Sequence, residues 1–177
     1  DSSASYVTQQ YQDFLARDPD AAGFAFWQTE INSCGNNAPC VEVKRINVSA
    51  AFYLSIEFQQ SGSIVYRATK ASFGTMPRFK EFFIESARIG RNVVVNQTGW
   101  EALLEGNKQA FFKGWVLTPN FVAAFPGSMS AAEFVDKLDT NVGGVLSASE
   151  RGALINILGS TPGDQLKRAS VLRSLVE

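Results

Sequence analysis

Residues 7–27 read VTQQYQDFLARDPDAAGFAFW. Val7, Tyr11, Phe14 and Leu15 fall at i, i+4, i+7 and i+8, a single apolar stripe that predicts a helix over about residues 4–16. The turn RDPD at 17–20 ends it, and the Asp20 carboxylate can cap a second helix lined by Phe24, Trp27 and Ile31. NSCG at 32–35 stops that helix, so the stretch is expected to fold as a helical hairpin.

Helical spacing and the same punctuation continue downstream. A third helix is expected from Ala38 and Pro39 to about Phe58, with Val43, Ile46, Ala50 and Leu54 as its core stripe, and a fourth from Ile64 to Phe73 after the break SGS at 61–63. Phe79, Phe82, Phe83 and Ile84 mark a short helix beyond GTMP at 74–77, whereas RNVVV at 91–95 is compatible with extended backbone but too short to predict a sheet. Thr98 with Glu101 reads as a capping box opening a helix over 99–117, striped by Leu104, Phe111 and Trp115. Thr118 with Pro119 is the next start. Two more capping boxes, Ser130 with Glu133 and Ser147 with Glu150, open helices striped by Phe134, Leu138 and Val142 and by Leu154, Ile155 and Leu158. Gly159 closes the second of these, and TPGD at 161–164 begins a last helix whose Ala169, Leu172, Leu175 and Val176 face inward. The expectation is one all-α domain over 1–177, a compact bundle of nine or ten helices built from helical hairpins. Residues 6–27 and 134–154 share a helix, turn and capped helix, the pattern of two related hairpins.

Composition narrows the chemistry. The chain has 177 residues, 45% hydrophobic and 12% aromatic, enough to fill a substantial core. Sixteen basic residues stand against 17 acids, a net charge of −1, so no electrostatic field gathers nucleic acid or an anionic membrane. There is no histidine, which removes the commonest general base and transition-metal ligand. No run of about 18 apolar residues exists to span a bilayer, and the first residues lack the layout of a signal peptide, so the chain reads as soluble and already trimmed.

Cys34 and Cys40 flank GNNAP, whose turn formers can bring the thiols together; a disulfide is favoured, with two free buried thiols or a redox or metal pair as the alternatives. A bridge would place the chain in an oxidising compartment.

The string from Tyr11 to Trp27 resembles the signature of the domain of unknown function 4214 family. Tyr11, Leu15, Arg17, Pro19, Asp20, Gly23, Phe26 and Trp27 match that signature, while Ala16 stands where the family usually has glycine. Ser49 to Phe52 and Ser55, Glu57 and Phe58 resemble the family's following helix, so the specific likeness covers about residues 6–60. The resemblance implies a bacterial, phycobilisome-linker-like helical fold, an excised module of a larger secreted protein, and a scaffold or attachment role with no assigned catalytic residues. Its implied partners are other domains of the parent chain, surface proteins or glycans.

Sharper chemistries have candidates. Asp18 and Asp20 offer hard oxygens on a turn, but a full calcium loop would need a further acid, a glycine at its sixth position and a glutamate at its twelfth. Asp20 is better read as a cap and Arg17 as a partner for a helix-end carbonyl or for Asp18. Asp13, Asp18, Asp20, Glu30 and Glu57 could include the two carboxylates of a polysaccharide hydrolase or lyase, against the simpler reading of solvated charges. Trp100, Phe121 and Phe125 lie beside turns and could offer an exposed ring to a sugar, Trp100 foremost; packed rings are the alternative. Asn47 and Asn96 begin glycosylation sequons, accidental in a bacterial protein. The expected function is a noncatalytic secreted or cell-surface module, without a cofactor unless calcium; a glycan-binding accessory domain is the alternative.

Overall fold

Residues 2–177 are described in the computed structural model. Among them every regular element is a helix: α1 Ser3–Leu15, α2 Ala21–Asn32, α3 Ala38–Leu54, α4 Ile56–Gln59, α5 Gly62–Phe73, α6 Phe79–Ile89, α7 Trp100–Trp115, α8 Pro119–Ala124, α9 Ala131–Val142, α10 Ala148–Leu158 and α11 Gln165–Val176. None is long and apolar enough to cross a membrane.

The starts follow the side-chain oxygens that the sequence places before them. Asp20 accepts from the Gly23 amide, Asn37 from Cys40, Thr118 from Phe121, and Asp164 from Lys167, each satisfying an amide of the first turn. Ser130 with Glu133 and Ser147 with Glu150 form both bonds of the capping box. The box expected at Thr98 and Glu101 does not form; Gly99, at φ 84°, takes the cap position, and no side chain caps α7. Only glycine adopts that dihedral without a Cβ penalty, so backbone geometry displaced the threonine. The 91–95 stretch is not extended either: it turns, and buries Val93 against the core.

Helix α5 lies centrally, packing against α4, α6, α8, α9 and α11. Its inward positions include Gly62, Ala68, Ala71 and Ser72, whose small side chains let the neighbours approach. A Cβ on Gly62 would lie 2.7 Å from the Phe58 ring and 2.9 Å from that of Phe82. Ser72 accepts a hydrogen bond from the Trp115 indole at 2.9 Å, satisfying the ring's one polar atom. The core is continuous from Val7, Tyr11 and Phe52 at one end to Phe121, Phe125, Phe134 and Leu172 at the other. Phe121 and Phe125 stack 4.6 Å apart and are fully buried, so they present no ring to solvent. Their aromatic area covers the α8–α9 junction, and the turn residues beside them do not expose it.

The two hairpins of similar sequence are both observed: α1 packs on α2, and α9 on α10. Each first helix stops at a left-handed residue, Ala16 at φ 53° and Gly143 at φ 105°. At Gly143 this costs little, whereas at Ala16 the Cβ meets a carbonyl oxygen. Ala16→Gly is therefore expected to raise the unfolding free energy by about 1 kcal/mol in urea titrations. An unchanged or lower midpoint would contradict the cap strain.

The end of α11 is tied to α7 by charge. Arg173 holds both Glu105 oxygens at 2.7 Å, while the largely buried Lys108 contacts Glu177 at 2.6 Å and donates to Gln60 at 2.8 Å. The Arg173 hydrogen bonds, then that from Gln109, hold the Glu105 carboxyl down at about 2. A carboxylate depressed on folding stabilises the fold above its unfolded value of about 4.3, and that contribution is lost as pH falls toward the folded value. The Tm advantage of wild type over Glu105→Gln should thus be present at pH 5 and shrink between about pH 4.5 and 2. A pH-independent difference would show that the pair is not electrostatic; because Glu105 is partly exposed, the expected advantage is small.

Candidate interaction surface

The turn between α1 and α2 gathers most of the residues singled out in the sequence. Arg17 reaches across to α4 and grips Glu57 with two bonds, Nε to Oε1 at 2.7 Å and an Nη to Oε2 at 3.1 Å. It also donates to the Asp18 carbonyl at 3.1 Å, approaches Asp20 at 3.6 Å, and lies 4.9 Å above the Tyr11 ring. Of the two local partners expected for Arg17, a helix-end carbonyl or Asp18, the structure shows Asp18, through its backbone oxygen; the bond to Glu57, 40 residues away, has no local signal.

Asp20 accepts from the Gly23 amide at 2.8 Å and from the Tyr11 hydroxyl at 3.4 Å. The Gly23 amide bond, and then the Arg17 charge, hold its carboxyl below the usual range. Burial, and then the Asp20 charge, push the Tyr11 phenol up to about 12. Gly23 is required by contact: a Cβ there would lie 2.0 Å from the Tyr11 hydroxyl oxygen. Ser55 caps α4 by accepting from the Phe58 amide, and the Phe58 ring packs edge-on to Phe14 at 5.3 Å. Tyr11, Arg17, Asp20, Gly23, Glu57 and Phe58 are thus one device, locking the first hairpin onto α4.

Residues 1–61 match the model of the family named Domain of unknown function (DUF4214). The DUF4214 segment takes in α1 to α4 and stops at the turn before α5. No curated protein and no solved structure matches the chain.

Within the DUF4214 segment, Cys34 and Cys40 form a disulfide, with Cα atoms 5.6 Å apart, closing the connection from α2 to α3. The bond fits an oxidising compartment. Asp18 is exposed on the turn, and Asp20 spends its oxygens on the cap and on Tyr11, with the Arg17 cation beside them. Among the described residues no three acids, cysteines or histidines are placed to hold a metal. Of the candidate carboxylates, Asp13 accepts from Gln9 and Glu30 from Lys44, whereas Asp20 and Glu57 are both neutralised by the one Arg17 guanidinium. Trp100 is half-buried at the start of α7, packed against the core.

Helix α3 departs most from expectation. Val48 and Phe52 are its buried residues, while Val43, Ile46, Ala50 and Leu54, expected in the core, face solvent. The helix is apolar on two opposite faces, and the larger ring of Phe52 decides which turns inward, meeting Tyr11 at 4.8 Å and Trp27 at 5.7 Å. α3 also ends early, at Leu54, because Ser55 turns to extended backbone to cap α4.

Between positions 43 and 56 the exposed residues are Val43, Ile46, Asn47, Ala50, Tyr53, Leu54 and Ile56, none of them charged. Ile46 is 61% exposed and Leu54 70%. Beside Ile46 opens a groove of about 630 Å³, bordered by Tyr6, Val41, the exposed Glu42, Arg45, Ser49 and the disulfide loop. Its floor is fixed: the Tyr6 hydroxyl donates to the Arg45 carbonyl at 2.7 Å and lies 2.6 Å from Ser49, which donates to Gln10.

Proposed function

We propose that this chain is a noncatalytic module of a secreted or cell-surface bacterial protein that acts by contact, holding or displaying other domains, surface proteins or glycans. The observation that carries this reading is the largely apolar face from Val43 on α3 to Ile56 on α4, with Asn47 within it and Glu42 at its edge, since contact surfaces lose charge at their centres and keep it at their rims. The disulfide and the DUF4214 match agree with an extracellular setting. Carboxylates with a displaced pKa, such as Asp20, Glu105, Asp136 and Glu177, are lowered, whereas a general acid at neutral pH needs one raised.

The test pairs binding with turnover. Labelled protein is mixed with isolated bacterial envelopes, and with cell-wall and exopolysaccharide fragments whose reducing ends are counted. Binding is expected for wild type and a loss of at least tenfold for Ile46→Lys with Leu54→Lys, at unchanged Tm. Equal binding by both forms, or new reducing ends, would overturn the reading.

A further inference from the structure

Two of the most exposed apolar side chains of the molecule border one groove. Met76 is 67% exposed and Val145 68%, and both lie on loops that start at a left-handed glycine, Gly74 at φ 71° and Gly143 at φ 105°. The same groove is lined by Tyr66 of α5, Val142 of α9, and Leu175 and Val176 of α11, and it encloses about 500 Å³. A recess of that size, apolar but for a few polar groups, is of the kind that takes a small molecule. Its charged members are Arg67 and Lys70, three residues apart on α5 and both exposed, and no acid lines it. Like charges one turn apart on a helix repel. Neither cation meets a carboxylate among the described residues: Arg67 donates to the Ser63 and Gln59 carbonyls at 3.3 and 3.5 Å, and Lys70 to the Gly74 carbonyl at 2.7 Å. Lys70 thus spends one of its three donors, and Arg67 keeps an Nη free, so both can bind an anion without giving up the backbone.

An apolar recess whose charges are two cations without a carboxylate is complementary to an apolar body carrying one anionic group. We infer that the groove binds a free long-chain fatty acid, its carboxylate at Arg67 and Lys70 and its chain against Tyr66, Met76, Val145 and Leu175. A peptide fits less well. Its amides would lie against side chains that, apart from the Tyr66 phenol, offer no acceptor, and a buried N–H without a partner costs more than the apolar contact returns. An acyl chain has no such groups. A membrane surface is held by clusters of about four to eight cations, and two on a chain of net charge −1 do not make one. Met76, unbranched and polarizable, lets the rim adapt to the chain it meets.

The groove shares no residue with the α3 face, so the site stands whether or not the contact role does, and Ile46→Lys with Leu54→Lys is expected to leave it intact. Delipidated protein titrated with dodecanoate below its micelle concentration, followed by isothermal calorimetry, is expected to bind one molecule per chain. Dodecanol, which keeps the chain and lacks the charge, is expected to bind at least tenfold more weakly. The same loss is expected for dodecanoate with Arg67→Gln and Lys70→Gln together, which removes the cations, and with Val145→Asp, which puts a carboxylate at the rim. These three positions are exposed, so Tm should change little. No saturable binding of dodecanoate to wild type, or equal affinity for dodecanol, overturns the inference without recourse to any variant. Binding that survives both Val145→Asp and the glutamine pair overturns this groove as the site. Phosphatidylglycerol vesicles are expected not to sediment the protein; sedimentation that the glutamine pair abolishes would overturn the free acid in favour of a lipid surface.

Discussion

Arg168→Leu is expected to lower the unfolding free energy by about 3–5 kcal/mol, the cost of breaking a buried charged network rather than a surface contact. Arg168 is 5% exposed, and its three donor nitrogens are used on backbone carbonyls: Nε on Pro162 at 2.6 Å, and the two Nη atoms on Phe125 at 2.6 Å and Pro126 at 2.9 Å. The guanidinium also lies 4.8 Å above the Phe134 ring. Burial lowers its pKa, and among the described residues no carboxylate forms an ion pair with it. One side chain therefore holds the α8–α9 and α10–α11 connections onto α11. Leucine would fill part of the volume and leave the Phe125 and Pro162 carbonyls without their Arg168 donor, each at about 1–3 kcal/mol before the loops relax toward water, while Pro126 keeps the Met129 amide. Arg168→Lys should recover little, because a single ammonium cannot reach three carbonyls spread around a planar fork. Urea denaturation followed by circular dichroism measures both variants; a loss below about 1 kcal/mol for leucine would show that the carbonyls find other donors.

Gly23→Ala carries the second large effect, with a sign opposite to the ordinary one. Glycine to alanine inside an exposed helix usually gains about 1 kcal/mol. Here the new methyl would sit 2.0 Å from the Tyr11 hydroxyl oxygen, and Tyr11 is held by Phe52 on one side and Arg17 on the other. The expected cost is about 2–3 kcal/mol, the upper part of the range for overpacking. Tyr11→Phe removes the atom in the way and gives up only the 3.4 Å bond to Asp20. In the double variant the alanine penalty should therefore shrink by about 1–2 kcal/mol, a coupling that a double-mutant cycle reads directly. Additive effects would place the origin of the glycine elsewhere. A coupled result would mean that this part of the DUF4214 signature records packing within the hairpin.

Much of the fold is legible in the residues because helices announce their ends locally. Asp20, Asn37, Ser130, Ser147 and Asp164 act on amides three positions away, and the stripes of α1, α9 and α10 need only the helical period. The Cys34–Cys40 bond is similarly local, bridging a short turn. Failures occur where two local signals compete. At the start of α7, Thr98 and Gly99 both offer a start, and the glycine prevails through its left-handed backbone. In α3 the sequence contains both stripes, Val43 to Leu54 and Val48 to Phe52, and periodicity alone does not say which one meets the core. The signal that could have separated them is the aromatic ring of Phe52, since large rings dominate burial.

What the sequence by itself determined is the all-helical class and most helix boundaries, and it favoured the disulfide, because each rests on interactions spanning fewer than about ten residues; the DUF4214 signature is legible as a pattern of residue types, without the contacts behind it. Only the tertiary structure decided that Arg17 grips Glu57, that Arg168 binds the α8–α9 turn, and that the apolar stripe of α3 faces outward. Each of these depends on which distant helix arrives at a given face, and that is settled by packing the whole core at once, a constraint that no single segment encodes.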